Sequence, residues 1–204
     1  MGVESLALSH EVRARLREAV RRVYSAAGDP RVRPPFPVGR EFARSLGYPA
    51  ELLASVPPAC VDAFAGVSNV AVFADIPPGA RVLDLGCGAG LDTVVTARRV
   101  GPHGSVIGVD FSEEMLAHAR LGAAAVGGRT ITLCRADAER LPLPDGAVDV
   151  ALVNGMFNLN PAREEIFREL ARVVRVGGRV FAAELILREP LPATTAFSEA
   201  DWFA

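Results

Sequence analysis

The segment RVLDLGCGAG, at residues 81–90, constrains the fold of this chain more strongly than any other. Its first half, Val82–Leu85, is a short and mainly apolar run, as expected for a buried strand. The glycines at 86, 88 and 90 then allow a tight turn in which a ligand can come close to the backbone. Leu91–Val100 continues with apolar residues at helical spacing. A strand, a glycine turn and a helix in this order predict the start of a βαβ unit.

The sequence after Pro77 repeats this alternation of strands and helices. Together with the length of 204 residues, this alternation predicts one α/β fold with a doubly wound, mainly parallel sheet. Helices on both faces would explain why the strands are apolar throughout. The predicted strands are Arg81–Leu85, Ser105–Val109, Thr130–Cys134, Val148–Val153 and Gly178–Leu187, and the predicted helices are Asp92–Val100, Glu113–Ala124 and Arg163–Arg172.

The segment before Pro77 is predicted to be helical and interrupted by prolines. Its helices are expected at Ser9–Ala27, Arg40–Leu46, Ala50–Ser55 and Ala59–Phe64, with the stiff connector RVRPPFPVG after the first. Five arginines of the first helix alternate with apolar residues, which is typical of the solvated face of an amphipathic helix. They are Arg13, Arg15, Arg17, Arg21 and Arg22.

Charge, hydropathy and cysteine content exclude several classes of function. A formal net charge of −2 gives no electrostatic reason to expect a nucleic-acid partner. No apolar run reaches the roughly 18 residues of a membrane span, and the N-terminus does not have the pattern of a signal peptide. Cys60, Cys87 and Cys134 form no metal-binding pairs, so no metal is expected, and a reduced, cytoplasmic protein is predicted.

The predicted carboxyl ends of the strands carry mostly acidic residues. Strand one ends at Asp84, strand two at Asp110, strand three just before Asp137 and strand four at Asn154. Because ligands of such sheets bind at this edge, a pyrophosphate would be repelled there, at a cost on the order of 1–4 kcal/mol. A cationic ligand reverses the sign of the interaction. S-adenosylmethionine fits, since it carries an ammonium and a sulfonium and no phosphate.

Each element of the proposed cofactor site has a predicted role. Backbone amides of the glycine turn, which includes Gly86, Cys87 and Gly88, would take the cofactor carboxylate, and Asp84 would favour its cationic end. Asp110 suits the ribose hydroxyls. Asp137 and the Ala138 nitrogen suit adenine, whose ring Phe111 would cover, and Asn154 is also predicted to contact the cofactor. Two simpler interpretations stay open: Asp110 leads into a helix capped by Ser112, and Asp137 is a turn residue.

Four segments resemble the ordered motifs of class I S-adenosylmethionine-dependent methyltransferases: DLGCGAG, GVDFSEEML, RADAERLPLPDGAVDV and RVVRVGGRVF. The resemblance covers Pro77–Leu187 and implies a Rossmann-like fold with strand order 3-2-1-4-5. It also implies an enzyme that uses S-adenosylmethionine, with the cofactor roles given above to Asp84, Gly86, Gly88, Asp110, Asp137 and Ala138. A nicotinamide-dependent oxidoreductase is the rival interpretation of the glycine loop.

SLGYPAELLASVP, DAFAGVSNVAVFADIPPG and NLNPAREEIFREL are similar to the narrower arsenite methyltransferase family. This likeness runs from about Ser45 and implies that a short helical cap containing GVSN lies over the methyl donor. The predicted division is a helical cap segment at residues 1–76 and the S-adenosylmethionine-binding core at residues 77–204. The family's arsenic-binding cysteines are missing after Asn154, within RVRPPFPVG and after Trp202. A small organic molecule is therefore the expected acceptor. A genuine arsenite methyltransferase and a non-catalytic S-adenosylmethionine-binding protein are the alternatives.

No catalytic residue can be identified, because a general base is needed only for acceptors that must lose a proton. The acceptor-side candidates are Asn69, Met156, Phe157 and Asn158. Among the histidines, His103 is expected to be structural and His118 to lie on the surface, while His10 could overhang the site.

The C-terminus is expected to be shortened. The fold of this class continues beyond the fifth strand, whereas about 17 residues follow Leu187 here. That would leave an open sheet edge, which natural proteins generally cover. A homodimer or another partner is predicted to cover it.

Overall fold

The computed structural model of the chain describes residues 10–27, 29, 31–127 and 129–186. These residues form a five-stranded parallel sheet in the order β3-β2-β1-β4-β5, so the predicted fold class and strand order are confirmed. The strands are β1 (Arg81–Leu85), β2 (Ser105–Asp110), β3 (Ile131–Arg135), β4 (Val148–Asn154) and β5 (Val174–Ala183). Ser9, Leu187 and the expected shortened C-terminus, including Trp202, lie outside the described residues.

Eight α-helices accompany the sheet in the part of the chain that the structure describes. Five precede it: α1 (His10–Ala26), α2 (Arg40–Ser45), α3 (Ala50–Ser55), α4 (Pro58–Asp62) and α5 (Val70–Phe73). The others are α6 (Leu91–Val100), α7 (Glu113–Ala125) and α8 (Arg163–Val173), and a 3-10 turn spans Phe157–Leu159. The sequence did not predict the four-residue helix α5. None of the described helices is long and apolar enough to cross a membrane.

Alternation along the strands divides the core into two layers. In β1, Val82 packs with α6, whereas Leu83 and Leu85 pack with α8 on the opposite face. The central strands β1 and β4 are buried on both faces, as predicted, but the outer strands β3 and β5 are partly exposed.

Helices α2–α5 belong to the same hydrophobic core as the sheet. Leu53 of α3 and Val70 of α5 are buried in one cluster with Val82, Val94 and Val150. The N-terminal segment is thus packed against the α6 face of the sheet. This packing brings the loop before α5 to the carboxyl ends of the strands.

Strand β5 differs from the sequence prediction at both ends. It begins at Val174, directly after α8, and ends at Ala183 rather than at Leu187. Val174 pairs with Val148, and the next pair joins Arg179 to Val150, so β5 has extra residues here that form a bulge. Gly177 lies in this bulge with φ of 78°, a conformation that favours glycine. The earlier end of β5 places Glu184 immediately after the strand.

Candidate functional site

A crevice of about 130 Å³ opens where the sheet order reverses, beyond the carboxyl ends of β1, β2 and β4. Both Asp84 and Asp110 line it, so the strand-end carboxylates share one space, as the charge argument required. All nine residues predicted from the sequence to bind the cofactor are among its walls: Asp84, Gly86, Cys87, Gly88, Asp110, Phe111, Asp137, Ala138 and Asn154. Their roles toward a ligand stay predictions.

Asp84 is the most deeply buried of the charged groups in the crevice. Its side chain is 2% exposed, and its carboxyl accepts a hydrogen bond of 2.5 Å from the Thr93 hydroxyl. Burial, together with the nearby carboxyl of Asp92 and the more distant one of Asp110, raises the pKa of Asp84 to about 8. In the ligand-free crevice Asp84 is therefore mostly protonated at neutral pH, and a cation beside it would favour the ionised carboxylate.

Asp110 braces the glycine loop from the end of β2. One carboxylate oxygen accepts the Gly88 amide at 2.8 Å and the other accepts the Ser112 amide at 2.8 Å. Ser112 in turn caps α7 by accepting the Met115 amide at 3.2 Å, so the simpler interpretation of this segment is also correct. Burial raises the pKa of Asp110. Each carboxylate oxygen has a second lone pair, so the group can still accept ligand hydroxyls.

Three amides of the glycine loop are used within the protein. The amides of Gly86 and Cys87 both donate to the Val109 carbonyl, at 2.8 and 3.0 Å, and the Gly88 amide donates to Asp110. The expectation that amides of this turn take the cofactor carboxylate stays a prediction. Gly86 is required: its φ is 73°, and a Cβ there would lie 3.0 Å from the Met156 sulfur.

Helix α1 covers one end of the crevice. The Arg21 guanidinium lies 3.7 Å from the Asp137 carboxylate and 5.6 Å from the centre of the Phe111 ring. Arg17 forms an ion pair with Glu139, and both arginines line the crevice. These two arginines thus do more than form a solvated helix face, since they join α1 to the loop after β3. The Asp137 side chain itself is 65% exposed.

Asn154, at the end of β4, holds the loop before α5 in place. Its carbonyl oxygen accepts the Val67 and Ser68 amides at 2.9 and 3.0 Å. Its amide nitrogen donates to the Ser68 carbonyl at 2.7 Å and to Asp92 at 2.8 Å. Gly66 allows this approach, because a Cβ there would lie 2.5 Å from the same nitrogen. Four hydrogen bonds therefore use the whole carboxamide for anchoring the cap.

Asp92 and Tyr48 belong to this network and were missed from the sequence. Asp92 lies in the first turn of α6, is almost fully buried, and accepts hydrogen bonds from the Tyr48 hydroxyl and from Asn154. Burial raises the pKa of Asp92 despite these bonds, and the pKa of Tyr48 is raised by its own burial and by Asp92. The available signal was a carboxylate within the apolar run LDTVV. It resembles an ordinary acidic residue in the first turn of a helix, which is why it was overlooked.

The acceptor-side candidates separate into two pairs. Met156 lines the crevice, and Asn158 lines a neighbouring cavity. The other two line neither cavity. Phe157 is buried in the core beneath α8, stacked on Phe167 at 4.6 Å, because the 3-10 turn directs it inward. Asn69 is turned away from the crevice and donates to the Gly47 carbonyl at 3.1 Å.

The thiols near the crevice are engaged elsewhere. Cys60 contacts the His118 carbonyl on α7, and burial raises its pKa to about 11. Cys87 is buried beside Gly108 of β2, and its pKa is also raised by burial. Cys134 ends β3 and lines neither cavity. The described residues contain no cluster of three or more His, Cys, Asp or Glu side chains that could hold a metal.

The histidines take no part in the described crevice. His103 is exposed in the turn before β2, as predicted, whereas His118 on α7 is partly buried rather than on the surface. The side chain of His10 lies outside the described residues, so its predicted position over the site stays a prediction.

Comparison with known proteins identifies the central part of the chain. Residues 82–178 match the family described as "Methyltransferase domain". Arsenite methyltransferase of Halobacterium salinarum is 39% identical over 147 residues, which cover 72% of this chain and 37% of that protein. Demethylmenaquinone methyltransferase of Bacillus cytotoxicus is 37% identical over 111 residues, covering 54% and 46%. The chain therefore spans less than half the length of these two relatives.

A solved structure shows the same relationship over more of the chain. The arsenic(III) S-adenosylmethionine methyltransferase of Chlamydomonas reinhardtii superimposes with a TM-score of 0.59 at 29% identity. The match covers 78% of this chain and 52% of that one.

Proposed function

We propose that the chain contains a class I S-adenosylmethionine-dependent methyltransferase domain resembling those of arsenite methyltransferases, and that it methylates a small organic molecule. The observation that carries this proposal is the grouping of three buried carboxyls, Asp84, Asp92 and Asp110, at one crevice. Such a site favours a cationic nucleoside and disfavours a dinucleotide, since the same Coulomb interaction changes sign between them.

The crevice fits the cofactor of this domain class. Asp84 would favour its cationic end, because a cation offsets the cost of ionising a buried carboxyl. Asp110 would accept the ribose hydroxyls with the lone pairs left over from Gly88 and Ser112. Phe111, Asp137 and Ala138 would receive the adenine under Arg21 of α1. When bound, the cofactor supplies an electrophilic methyl group on sulfur.

The residues of the protein have to position the reactants and exclude water. Asn154 contributes by fixing Val67 and Ser68 of the cap over the strand ends, through bonds to three backbone groups. Met156 packs against Gly86 and narrows the crevice beside the glycine loop. Holding two reactants in the correct geometry can by itself lower the activation free energy by several kcal/mol, on the order of 7–11 kcal/mol in the best cases.

An organic acceptor is favoured over arsenite by the state of the thiols. Trivalent arsenic is bound by thiolates, and a thiol binds soft ions only after losing its proton. Cys60 and Cys87 both line the crevice, but burial raises the pKa of each thiol, and their sulfur atoms lie against α7 and β2 respectively. Gly155 and Met156 follow Asn154, where the arsenite methyltransferase pattern has a cysteine.

Arsenite stays a second candidate, because two of the relatives above are named for arsenic methylation. Titration of the protein with arsenite, with and without thiol alkylation, distinguishes the candidates. We expect that alkylating the thiols does not reduce the binding of arsenite, because no thiol of the crevice is expected to bind it. Tight binding that is lost on alkylation would make arsenite the acceptor.

Calorimetry with S-adenosylmethionine, S-adenosylhomocysteine and NAD tests the cofactor assignment. We expect binding of the first two, none of NAD, and a loss of affinity of about tenfold or more in Asp110→Asn, since hydrogen bonds to charged groups contribute roughly 1.5–3 kcal/mol. Asp62→Asn, on the exposed side of α4, is the control. Binding of NAD alone would refute the methyltransferase proposal, and unchanged affinity in Asp110→Asn would refute the ribose assignment.

A further inference from the structure

A second cavity, of about 150 Å³, adjoins the cofactor crevice on the side of the cap. It lies between α1, the connector after α1, the loop before α5 and the segment that follows β5. The two cavities adjoin, since five residues line both of them: Tyr24, Ala65, Gly66, Gly155 and Leu159.

The walls of this cavity are mainly aromatic and aliphatic. The rings of Tyr24 and Phe36 stack with centroids 4.6 Å apart and an interplanar angle of 23°. Phe42, Val67 and Leu159 complete the apolar lining. Cavities with such walls and a few fixed polar groups bind flat apolar molecules, because ring faces bury a large area against them.

One carboxylate, that of Glu184, lies in this apolar wall. Its two oxygens accept the backbone amides of Asn158 at 3.1 Å and Leu185 at 3.0 Å. The Asn158 side chain also donates to the Leu185 carbonyl, so the segment after β5 is held from both sides. These bonds orient the carboxylate and leave each oxygen with a further lone pair. Glu184 can therefore accept a hydrogen bond from a molecule in the cavity.

The charges around the cavity exclude an anionic occupant. None of its described lining residues is an arginine or a histidine, and the chain contains no lysine. Burial, followed by the Glu184 charge, raises the pKa of Tyr24 to about 12, so the phenol stays a neutral donor. A carboxylate or phosphate placed here would meet Glu184 with no counter-charge from the lining.

We propose that this cavity is the acceptor site, and that it takes a neutral, planar molecule whose hydroxyl group donates a hydrogen bond to Glu184. This inference rests on the proposed function, because it places the acceptor beside the methyl donor. In this proposal the Tyr24 hydroxyl donates a second hydrogen bond to the acceptor, and the stacked rings of Tyr24 and Phe36 form the wall against which the acceptor packs. The charge of Glu184 selects against anions.

Direct binding of 2-naphthol, followed by its fluorescence, tests the proposal. We expect Glu184→Gln to weaken binding at least tenfold, since hydrogen bonds to charged groups are the stronger class. Tyr24→Phe keeps the stack on Phe36 and is expected to weaken binding about threefold. The control Glu51→Gln removes an exposed carboxylate of α3 and is expected to change nothing. If Glu184→Gln does not fold, the affinity of Tyr24→Phe for 2-naphthol tests the proposal instead.

Two further probes sharpen the assignment of substrate class. We expect 2-methoxynaphthalene, which has no hydroxyl, and 2-naphthoate, which is an anion, to bind at least tenfold more weakly than 2-naphthol. Failure of 2-naphthol to bind, equal binding of the methoxy compound, or tighter binding of the anion would overturn the proposal. Calorimetry with S-adenosylmethionine on the same samples separates this proposal from the proposed function. Failure to bind the cofactor would refute the proposed function, whereas failure to bind 2-naphthol with cofactor binding intact would refute the acceptor site alone.

Discussion

At the scale of single residues, the buried carboxyl of Asp84 makes the stability of the ligand-free protein depend on pH. Its folded-state pKa, about 8, lies above its ordinary value of 3.8, so the folded protein holds this proton more tightly than the unfolded chain. The resulting contribution to stability is complete below pH 3.8 and is lost as pH rises through about 8.

We therefore expect the free energy of unfolding to fall between pH 5 and about 8.5, and to fall less steeply in Asp84→Asn. Urea denaturation at several pH values measures both slopes. The surface carboxyls Asp29 and Asp149 have lowered pKa values, so their contributions are established by pH 5. An Asp84→Asn slope equal to that of the wild type would contradict the assignment.

Asn154 is a residue whose importance comes from how completely its side chain is bonded. Asn154→Ala removes four hydrogen bonds and leaves Asp92 and two backbone amides buried with fewer partners. We expect a loss of about 1–3 kcal/mol or more in the free energy of unfolding. Asn69→Ala, which removes one exposed bond, is the matched control and should cost less than about 1 kcal/mol. Equal losses would show that the Asn154 network does not anchor the cap.

At the scale of elements, α1 is joined to the loop after β3 mainly by exposed charges. The Arg17–Glu139 and Arg21–Asp137 pairs are each about two-fifths exposed on the arginine side. Exposed pairs of this kind contribute roughly 0.2–1 kcal/mol each and weaken in salt. Ala19 and Val20 of α1 are buried against Phe111 and Leu159, so these ion pairs supply only part of what holds the helix over the crevice.

We expect the double variant Arg17→Gln, Arg21→Gln to speed amide exchange in α1 by up to about tenfold, from the loss of two such pairs. Hydrogen exchange read by mass spectrometry measures this. Arg168→Gln, which breaks ion pairs within α8 alone, should leave α1 unchanged. The same acceleration of exchange in the wild-type protein at high salt would support an electrostatic attachment of α1. Exchange that neither the double substitution nor high salt accelerates would exclude such an attachment.

At the scale of the whole molecule, residues 1–76 and the sheet are expected to unfold together. The division at residue 76 stays a prediction as a domain boundary, but Leu53 is buried in the same core cluster as Val82 and Val94. Leu53→Ala should cost about 2–5 kcal/mol and shift a single transition. Circular dichroism and hydrogen exchange of β1 during urea unfolding would show this, with Leu121→Ala, an exposed residue of α7, as control. Two separate transitions would establish two units.

Strand β5 pairs only with β4 in the described part of the chain, and Val176 and Val180 are exposed on it. The expectation that a second copy covers this edge stays a prediction, and sedimentation of the protein measures it.

Part of the site was accessible from the sequence because one rule connects position to function. In a parallel sheet all carboxyl ends lie on one edge, so locating strand ends located Asp84, Asp110 and Asn154. Glu184 obeys the same rule but was hidden, because the predicted strand ran to Leu187 and placed it in the middle of β5. The apolar residues Leu185 and Ile186 continue past the end of the strand, so hydropathy alone did not mark where β5 stops.

The sequence by itself determined the fold class, the strand order implied by its motifs, and an acidic crevice suited to a cationic cofactor. The fold class and the acidic crevice follow from local periodicity and from charges at strand ends, which depend on few long-range contacts, whereas the strand order was implied by the resemblance of the motifs. Only the tertiary structure decided what each polar group binds: the loop amides and Asn154 serve the protein itself, and Tyr24 and Glu184 meet at a second cavity. Those partners lie far apart along the chain, and hydrogen-bond geometry acts over about 3 Å, a distance that no sequence pattern specifies.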